Sequence, residues 1–140
     1  MKTPEKNKQS SAINSAIIAL GSNIEAVTNI SLALNSITEL GTIVKRTKYI
    51  ATAAIDTPPG TDDYTNGALI LDTDLGLYDL IKKLKAIEDR QGRIRNTIEY
   101  HPVSIDLDVV SFNGIIVDKD LDKLPFLQEL VRELQPDLLD

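Results

Sequence analysis

The chain has 140 residues, of which 42% are hydrophobic and 26% are charged, as expected for one globular domain with its own core. Its formal net charge of −6 disfavours nucleic acid as a general partner, because phosphate backbones are bound by basic surfaces. With no Cys and a single His, the sequence excludes a disulfide framework, thiolate chemistry and a multi-histidine metal site.

The N-terminal segment, residues 1–14, is expected to be a flexible tail. It is rich in Lys, Asn, Gln and Ser, and it lacks the apolar region of a secretory signal. Residues 15–140 are expected to form a single domain. No apolar run approaches the roughly 20 residues that a membrane span needs, so we expect no membrane association. Together with the lack of Cys, this favours the cytoplasm.

The first part of the domain carries signals for a strand, a helix and a second strand. The apolar run at residues 16–20 predicts a buried strand. Ser22 and Glu25 match a capping box, which predicts that a helix follows. Gly41 lies where a C-terminal cap of that helix is expected. Residues 43–55 are rich in Ala and β-branched residues and predict the second strand.

A proline-rich loop, residues 56–63, leads to a strand predicted over residues 64–73. Tyr64 and Asn66 should share one face of this strand, because alternate strand residues point the same way. An aromatic ring beside an amide can bind a flat heterocycle, since the ring stacks and the amide both donates and accepts. A tyrosine packed under its own loop, with an Asn at a strand end, is the plainer interpretation.

A second amphipathic helix is predicted over residues 77–87, and Gly92 ends it. Glu88 falls where the apolar stripe would continue, so it is either part of a solvated last turn or a placed hydrogen-bond acceptor. Arg93 and Arg95 should point to one side of the chain, and the donor fork of Arg suits phosphate oxygens. Two surface cations that partner nearby acids would show the same pattern.

The most informative stretch is the strand predicted over residues 104–110. Its polar and apolar residues alternate, so Asp106 and Asp108 should lie side by side on the face opposite the core. Like charges this close raise each other's pKa unless a cation lies between them. Magnesium often binds one or two carboxylates plus substrate phosphates, so the pair is a candidate metal site. A half-exposed strand with acids on its wet face is the alternative.

The last part of the chain completes the predicted fold. Asn113 and Gly114 between apolar runs are a strong hairpin signal, and residues 126–134 favour a short helix that Pro136 closes. The order strand, helix, strand, strand, helix, strand predicts an α+β sandwich of the ferredoxin-like type. Its antiparallel sheet should carry the helices packed on it and a β-hairpin extension.

The order and spacing of these motifs resemble the 6-hydroxymethyl-7,8-dihydropterin pyrophosphokinase family of folate biosynthesis. The chain is similar to a short, divergent member, and the resemblance covers nearly all of it from residue 16 onward. It rests on residues 19–23, 57–59, 64–68, 87–88, 92–95 and 106–110.

The resemblance implies an enzyme that transfers pyrophosphate from ATP to the hydroxymethyl group of 6-hydroxymethyl-7,8-dihydropterin and releases AMP. It implies two Mg²⁺ ions held by Asp106 and Asp108, which with Arg93 and Arg95 form the catalytic set. The implied ATP contacts are Glu88, Arg93, Arg95 and Tyr100. The implied pterin contacts are Thr57, Pro58, Tyr64, Asn66 and Phe126.

The sequence departs from the family pattern just before the acidic strand. A basic residue, a small residue and an arginine of the family correspond here to Glu99, His101 and Val103. Loss of one preorganised donor costs on the order of 3 kcal/mol, or 10²–10³ in rate. The loop before Phe126 also lacks the family's His and Arg for ATP, and Lys123 or His101 is the candidate replacement.

These departures keep two further interpretations open. One is a catalytically weakened pterin- or nucleotide-binding module of the same fold, and the other is a ferredoxin-like interaction domain without a small-molecule site. For the enzyme we expect ATP and the pterin as partners, no nucleic acid and no membrane, and either a monomer or a homodimer.

Overall fold

The computed structural model describes residues 12–95 and 97–139. The strands are β1 (Asn14–Ser22), β2 (Thr42–Arg46), β3 (Ile50–Thr52), β4 (Tyr64–Thr73), β5 (Asp106–Phe112) and β6 (Ile115–Ile116). The helices are α1 (Ala26–Ile37), α2 (Leu77–Arg90) and α3 (Pro125–Leu134), and short 3₁₀ turns at Leu121–Lys123 and Pro136–Leu139 flank α3.

The strands form one antiparallel sheet in the order β2-β4-β1-β5-β6, with β3 paired to β4 beside β2. The central strand β1 lies between β4 and β5, which come much later in the chain. This is the strand order of a ferredoxin-like sandwich, so the predicted fold is confirmed. The hairpin extension is also present: Asn113 (φ 52°) and Gly114 (φ 81°) turn β5 into β6.

Hydrophobic side chains cover both faces of the sheet. On one face, Ile18 of β1 and Leu107 of β5 pack in a cluster with buried residues of α1 and α2. On the other face, Ile17 and Val110 pack with buried residues of α3. The alternation along the acidic strand is therefore confirmed, and the carboxylates of that strand project towards the side that α3 only partly covers.

The start of α1 differs from the prediction. The helix begins at Ala26, and Glu25 before it has a left-handed backbone with φ 44° and makes no side-chain capping bond. Ser22 remains in β1, and its hydroxyl donates to the carbonyl O of Ile24 at 3.0 Å. The predicted Ser22–Glu25 capping box is wrong, because the serine hydroxyl is used within the strand-to-helix turn.

Gly41 also has a different role from the predicted helix cap, since α1 ends at Ile37. A Cβ atom at Gly41 would lie 2.0 Å from the carbonyl O of Asp72. The glycine therefore allows the chain that enters β2 to pass directly against β4.

Three predicted segments have different bounds in the structure. The strand predicted over residues 43–55 is divided into β2 and β3, with a register shift between Ile43 and Lys45. The acidic strand starts and ends two residues later than predicted, at Asp106 and Phe112. Most of the tail predicted over residues 1–14 lies outside the described residues, so it stays a prediction. Within the described chain, every helix is too short or too polar to cross a membrane.

Candidate active site

Three neighbouring strands place acidic, small and amide residues in one row. The register pairs Gly21 of β1 with Asp106 of β5 on one side and with Asn66 of β4 on the other. The next row pairs Asp108 with Ala19. Residues that face each other in an antiparallel sheet project from the same side. The two acids therefore share one surface with the amide, separated by a floor of small residues.

A cleft of about 370 Å³ lies above this floor. Tyr64 at the start of β4 and Phe126 in the first turn of α3 both line it. Six of the residues singled out from the sequence meet in this cleft: Tyr64, Asn66, Arg93, Asp106, Asp108 and Phe126. The arrangement joins an aromatic slot to a pair of carboxylates within one concave site.

The other residues predicted to bind the pterin or ATP do not line this cleft. Pro58 and Tyr100 line a neighbouring cavity of about 260 Å³, and Thr57 is half-buried in the same proline-rich loop. The phenol oxygen of Tyr100 accepts a hydrogen bond from Asn23 Nδ2 at 2.8 Å. Glu88 bonds to the backbone of the acidic strand, and Arg95 bonds to Glu88. Roles for these residues in binding pterin or ATP stay predictions.

Glu88 is a buried anchor of the acidic strand. Its side chain is 3% exposed, and its Oε2 accepts the backbone N–H of Leu107, between the two aspartates, at 2.7 Å. Its Oε1 accepts from Arg95, which also donates to Asp89. Of the two interpretations of Glu88, the placed acceptor is therefore correct. A carboxylate that holds the backbone of this strand fixes where Asp106 and Asp108 project.

Arg93 bridges the anchor and the acidic pair. Its Nη1 donates to Asp106 Oδ1 and to the carbonyl O of Ile105, each at 3.1 Å, and lies 3.4 Å from Glu88 Oε2. The Arg93 side chain is 20% exposed and lines the cleft. The guanidinium of Arg93 therefore lies beside the Asp106 carboxylate, where a phosphate group could bind to it.

The carboxylates of Asp106 and Asp108 repel each other, as their spacing predicts. Partial burial, followed by the charge of Asp106, raises the pKa of Asp108 to about 7. Burial also raises the pKa of Tyr64, and the charges of Tyr100 and Asp106 add to that effect. Like charges held this close form a site in which a bound cation would be stabilised.

The donor set fits a hard divalent cation such as Mg²⁺, because it consists of two carboxylates in a cleft. Among the described residues, however, no group of three or more His, Asp or Glu is arranged to hold a metal ion. Asp106 and Asp108 alone would therefore supply the protein's part of the coordination. Water and substrate oxygens would supply the rest, as is usual for magnesium.

A second cavity of about 410 Å³ adjoins the cleft between α2 and β5, and shares Asp108 and Asp118 with it. Half of its lining residues are apolar, and the other half are two lysines, Lys85 and Lys119, and three acids, Asp108, Asp118 and Asp120. Lys123 and His101, the candidate replacements for the missing arginine, line neither this cavity nor the cleft, and their role stays a prediction. Val103 itself lines the cleft.

Two residues of the site were missed from the sequence. Asn23 is 4% exposed and bonds to Val103 through both its backbone N–H and its Oδ1, at 3.1 and 2.7 Å. Asp118, beyond the hairpin, lines both cavities, and its charge contributes to the raised pKa of Asp108. Asn23 lies within residues 19–23, which are part of the family resemblance but were given no role in the site, whereas no local pattern marks Asp118.

Comparison with known proteins gives a consistent result. The family model described as 7,8-dihydro-6-hydroxymethylpterin-pyrophosphokinase (HPPK) matches residues 17–136. The chain is 32% identical over 114 residues to the 2-amino-4-hydroxy-6-hydroxymethyldihydropteridine pyrophosphokinase of Pseudomonas putida, which covers 79% of this chain and 92% of that protein. It is 33% identical over 140 residues to the protein of the same name from Pseudomonas aeruginosa, with coverages of 90% and 83%. It is also 30% identical over 122 residues to the folic acid synthesis protein FOL1 of Dictyostelium discoideum, with coverages of 85% and 18%.

Proposed function

This chain belongs to the 7,8-dihydro-6-hydroxymethylpterin-pyrophosphokinase family, and we propose that its acidic pair and its aromatic slot carry the reaction of that family. The chain is a pyrophosphokinase of folate biosynthesis with ATP as its co-substrate. It transfers a pyrophosphate group to the hydroxymethyl oxygen of 6-hydroxymethyl-7,8-dihydropterin. The observation that carries the site assignment is that Tyr64, Phe126, Asp106 and Asp108 line one cleft.

The pterin is proposed to lie between the rings of Tyr64 and Phe126, because a flat heterocycle gains most from aromatic faces. Asn66 would form a hydrogen bond with the edge of the pterin ring. The amide nitrogen of Asn66 donates to Thr52 Oγ1 at 2.8 Å and to the carbonyl O of Ile50 at 3.3 Å, which fixes the orientation of the amide. Its Oδ1 is then left to accept from an N–H group of the pterin.

The phosphates are proposed to lie over Asp106 and Asp108. These carboxylates would hold two Mg²⁺ ions, which supply positive charge to the triphosphate when bound. Arg93 adds donors from the protein at the same place, and Arg95 bonds to Glu88, the carboxylate that anchors the acidic strand. Phosphoryl transfer asks little covalent chemistry of the protein, so a site without a Cys or His nucleophile is sufficient.

The bond changes follow from the product. The hydroxymethyl oxygen of the pterin attacks the β-phosphorus of ATP, and the bond from that phosphorus to the oxygen bridging to the α-phosphate breaks. AMP leaves with the bridging oxygen, and the hydroxymethyl group loses its proton. The protein contributes by holding the hydroxymethyl oxygen and the β-phosphorus in line, which the joined slot and acidic pair can do.

The nucleoside of ATP is proposed to occupy the second cavity, since that cavity meets the cleft at Asp108. Its apolar lining residues, Ile81 and Leu84 among them, suit a base, and Lys85 and Lys119 suit the ribose-proximal phosphate. These two lysines are better placed than Lys123 or His101 to offset the missing arginine at Val103. We therefore propose that Lys85 and Lys119, rather than Lys123 or His101, replace the positive charge that is missing at Val103, beside the donors of Arg93.

A catalytically weakened binding module is the second candidate, and it is favoured by Val103, which places an apolar side chain in the cleft wall. The two candidates are separated by incubating the protein with ATP, Mg²⁺ and 6-hydroxymethyl-7,8-dihydropterin and measuring AMP. The enzyme forms AMP only when all three are present. Calorimetric binding of the pterin without AMP above background would establish the binding module instead.

The setting of the enzyme is also a proposal. The net charge of −6 argues against nucleic acid as a partner, and the lack of Cys argues for the cytoplasm. We expect a monomer or a homodimer, which sedimentation at several protein concentrations would distinguish.

A further inference from the structure

Arg93 forms a salt bridge with Asp106, one of the two carboxylates that would bind a divalent cation. Its Nη1 is 3.1 Å from Asp106 Oδ1. The same nitrogen donates to the carbonyl O of Ile105 and lies near Glu88, so the guanidinium is held in place by the protein. This contact joins two side chains of the protein itself and needs no ligand to form.

The two carboxylates therefore differ in their partners. Among the described residues, Asp106 has Arg93 within salt-bridge distance, whereas Asp108 has no basic side chain that close. The matched arginine two positions later, Arg95, reaches Glu88 and Asp89 and does not contact the acidic pair. The sequence places both guanidiniums on one side of the chain, but only Arg93 neutralises a proposed metal ligand.

We infer that Arg93 is a resident counter-cation of Asp106, and that it competes with a divalent cation for this carboxylate in the absence of nucleotide. This inference rests on the proposed function, because it takes Asp106 to be a metal ligand. A guanidinium and a divalent cation on the same oxygen repel each other, so one must give way. The free site therefore binds metal weakly.

The competition has a consequence for how ATP is bound. When a cation takes Asp106, the Nη1 of Arg93 loses its carboxylate partner and becomes available to a phosphate oxygen in the same cleft. Metal without a triphosphate leaves the guanidinium facing a like charge, whereas metal with a triphosphate gives it a new anionic partner. Arg93 thus favours entry of the metal together with the nucleotide over entry of the metal alone.

The test is the affinity of the protein for Mn²⁺ alone, measured by electron paramagnetic resonance without nucleotide or pterin. Mn²⁺ prefers the same oxygen ligands as Mg²⁺. The Arg93→Gln variant should bind Mn²⁺ about two- to fivefold more tightly than the unaltered protein, the size expected from losing one partly exposed competing ion pair. Arg95→Gln removes the same charge nearby without touching Asp106, and it should change the affinity less than twofold.

Each outcome decides the inference. Unchanged or weaker Mn²⁺ binding by Arg93→Gln overturns it, and so does equal tightening by Arg95→Gln, which would reflect net charge alone. Failure of the unaltered protein and of Arg93→Gln to bind Mn²⁺ also overturns it. The pyrophosphokinase activity is judged separately from AMP formation by the unaltered protein, so an active enzyme whose Arg93→Gln variant shows no tightening would refute only the counter-cation role.

A measurement on the unaltered protein covers the case in which Arg93→Gln does not fold. The Nε–H signals of Arg93 and Arg95 are followed by ¹⁵N nuclear magnetic resonance while Mg²⁺ is added without nucleotide. The Arg93 signal should move as its bond to Asp106 is lost, and the Arg95 signal should stay in place. An Arg93 signal that stays fixed up to saturating Mg²⁺ would overturn the inference.

Discussion

Asn23 holds Val103 by two hydrogen bonds, with its backbone N–H donating to the Val103 carbonyl at 3.1 Å and its Oδ1 accepting from the Val103 N–H at 2.7 Å. The end of β1 is thereby tied to the segment that leads into the acidic strand. The amide nitrogen of Asn23 also donates to the Tyr100 hydroxyl at 2.8 Å. One buried amide thus ties the end of β1 to two points of the segment before β5.

Replacing this amide should destabilise the fold. Asn23→Ala removes two side-chain hydrogen bonds and leaves the Val103 N–H without its partner, so it should lower the free energy of unfolding by about 1–3 kcal/mol. Urea denaturation measures this change. The exposed helical residue Asn35 provides the control, and Asn35→Ala should shift stability by less than about 0.5 kcal/mol. Equal effects of the two substitutions would contradict this role of the Asn23 side chain.

The acidic pair should be indispensable for metal-dependent ATP binding. Asp106→Ala and Asp108→Ala each remove half of the carboxylate set, and each should abolish Mg²⁺-dependent binding of ATP while the circular dichroism spectrum stays unchanged. Calorimetry with a non-hydrolysable ATP analogue measures the binding. Asp122→Ala, at an exposed acid outside both cavities, serves as the control. Normal turnover by either acidic-pair variant would show that the metal assignment is wrong.

The raised pKa of Asp108 predicts how stability changes with pH in the absence of divalent cations. Its pKa is about 7 in the folded protein, against 3.8 for the free side chain, so the folded state holds this proton more tightly than the unfolded state does. The contribution to stability is therefore fully present below pH 4 and is lost as the pH rises to about 7. Partial exposure of the side chain reduces the size of the effect through solvent screening.

Urea denaturation in chelator at pH 5 and pH 8 measures this contribution. The difference in unfolding free energy between the unaltered protein and Asp108→Asn should shift in favour of the unaltered protein at the lower pH. Addition of Mg²⁺ near pH 6.5 should release protons, because a metal-bound carboxylate is ionised. A stability difference that is the same at both pH values would contradict the raised pKa.

The aromatic slot predicts a loss of pterin affinity when either ring is removed. Stacking of a heterocyclic base on an aromatic side chain contributes about 1–3 kcal/mol, so Tyr64→Ala and Phe126→Ala should each weaken pterin binding about 5- to 150-fold. Tyr64→Phe keeps the ring and should change the affinity much less. Tyr78 is 73% exposed on α2, and Tyr78→Ala is the control for loss of a tyrosine elsewhere. Calorimetry that shows equal affinities throughout would rule out the slot.

Replacing Val103 by arginine should increase the rate of AMP formation. An arginine there would project into the cleft that holds Asp106 and Arg93, where the family pattern has one. Loss of such a donor costs about 10²–10³ in rate, and a donor that is newly introduced and not preorganised should recover at least about tenfold of it. Val103→Met, similar in length but uncharged, is the matched control. AMP formation by Val103→Arg that does not exceed that of Val103→Met would contradict a missing phosphate donor.

The fold could be predicted because its signals are local. Alternation of apolar residues defined β4 with the bounds that the structure shows, Tyr64–Thr73, and the Asn113–Gly114 pair defined the hairpin. The predicted start of α1 was wrong because Ser22 satisfies the same sequence pattern whether it caps a helix or ends a strand. Its hydroxyl is used by the Ile24 carbonyl, a choice that depends on how β1 continues past Gly21.

The site was predicted only as far as its side chains belong to recognisable stretches. The acidic pair, Tyr64 and Asn66 each lie on one strand, and the register then brings them together. The roles of Asn23 and Asp118 depend on contacts with residues far away in the sequence, so no local pattern reveals them. The choice between a solvated and a placed Glu88 required its burial and its bond to Leu107, which only packing determines.

The central claim is that this cleft transfers an intact pyrophosphate group from ATP to the pterin. The most direct measurement follows ATP labelled in its β-phosphate during incubation with Mg²⁺ and 6-hydroxymethyl-7,8-dihydropterin. The label should appear in the pterin product in an amount equal to the AMP released. When the pterin is left out, the label should stay in ATP. Label that stays in ATP, or that passes into ADP or inorganic phosphate, would contradict the claim.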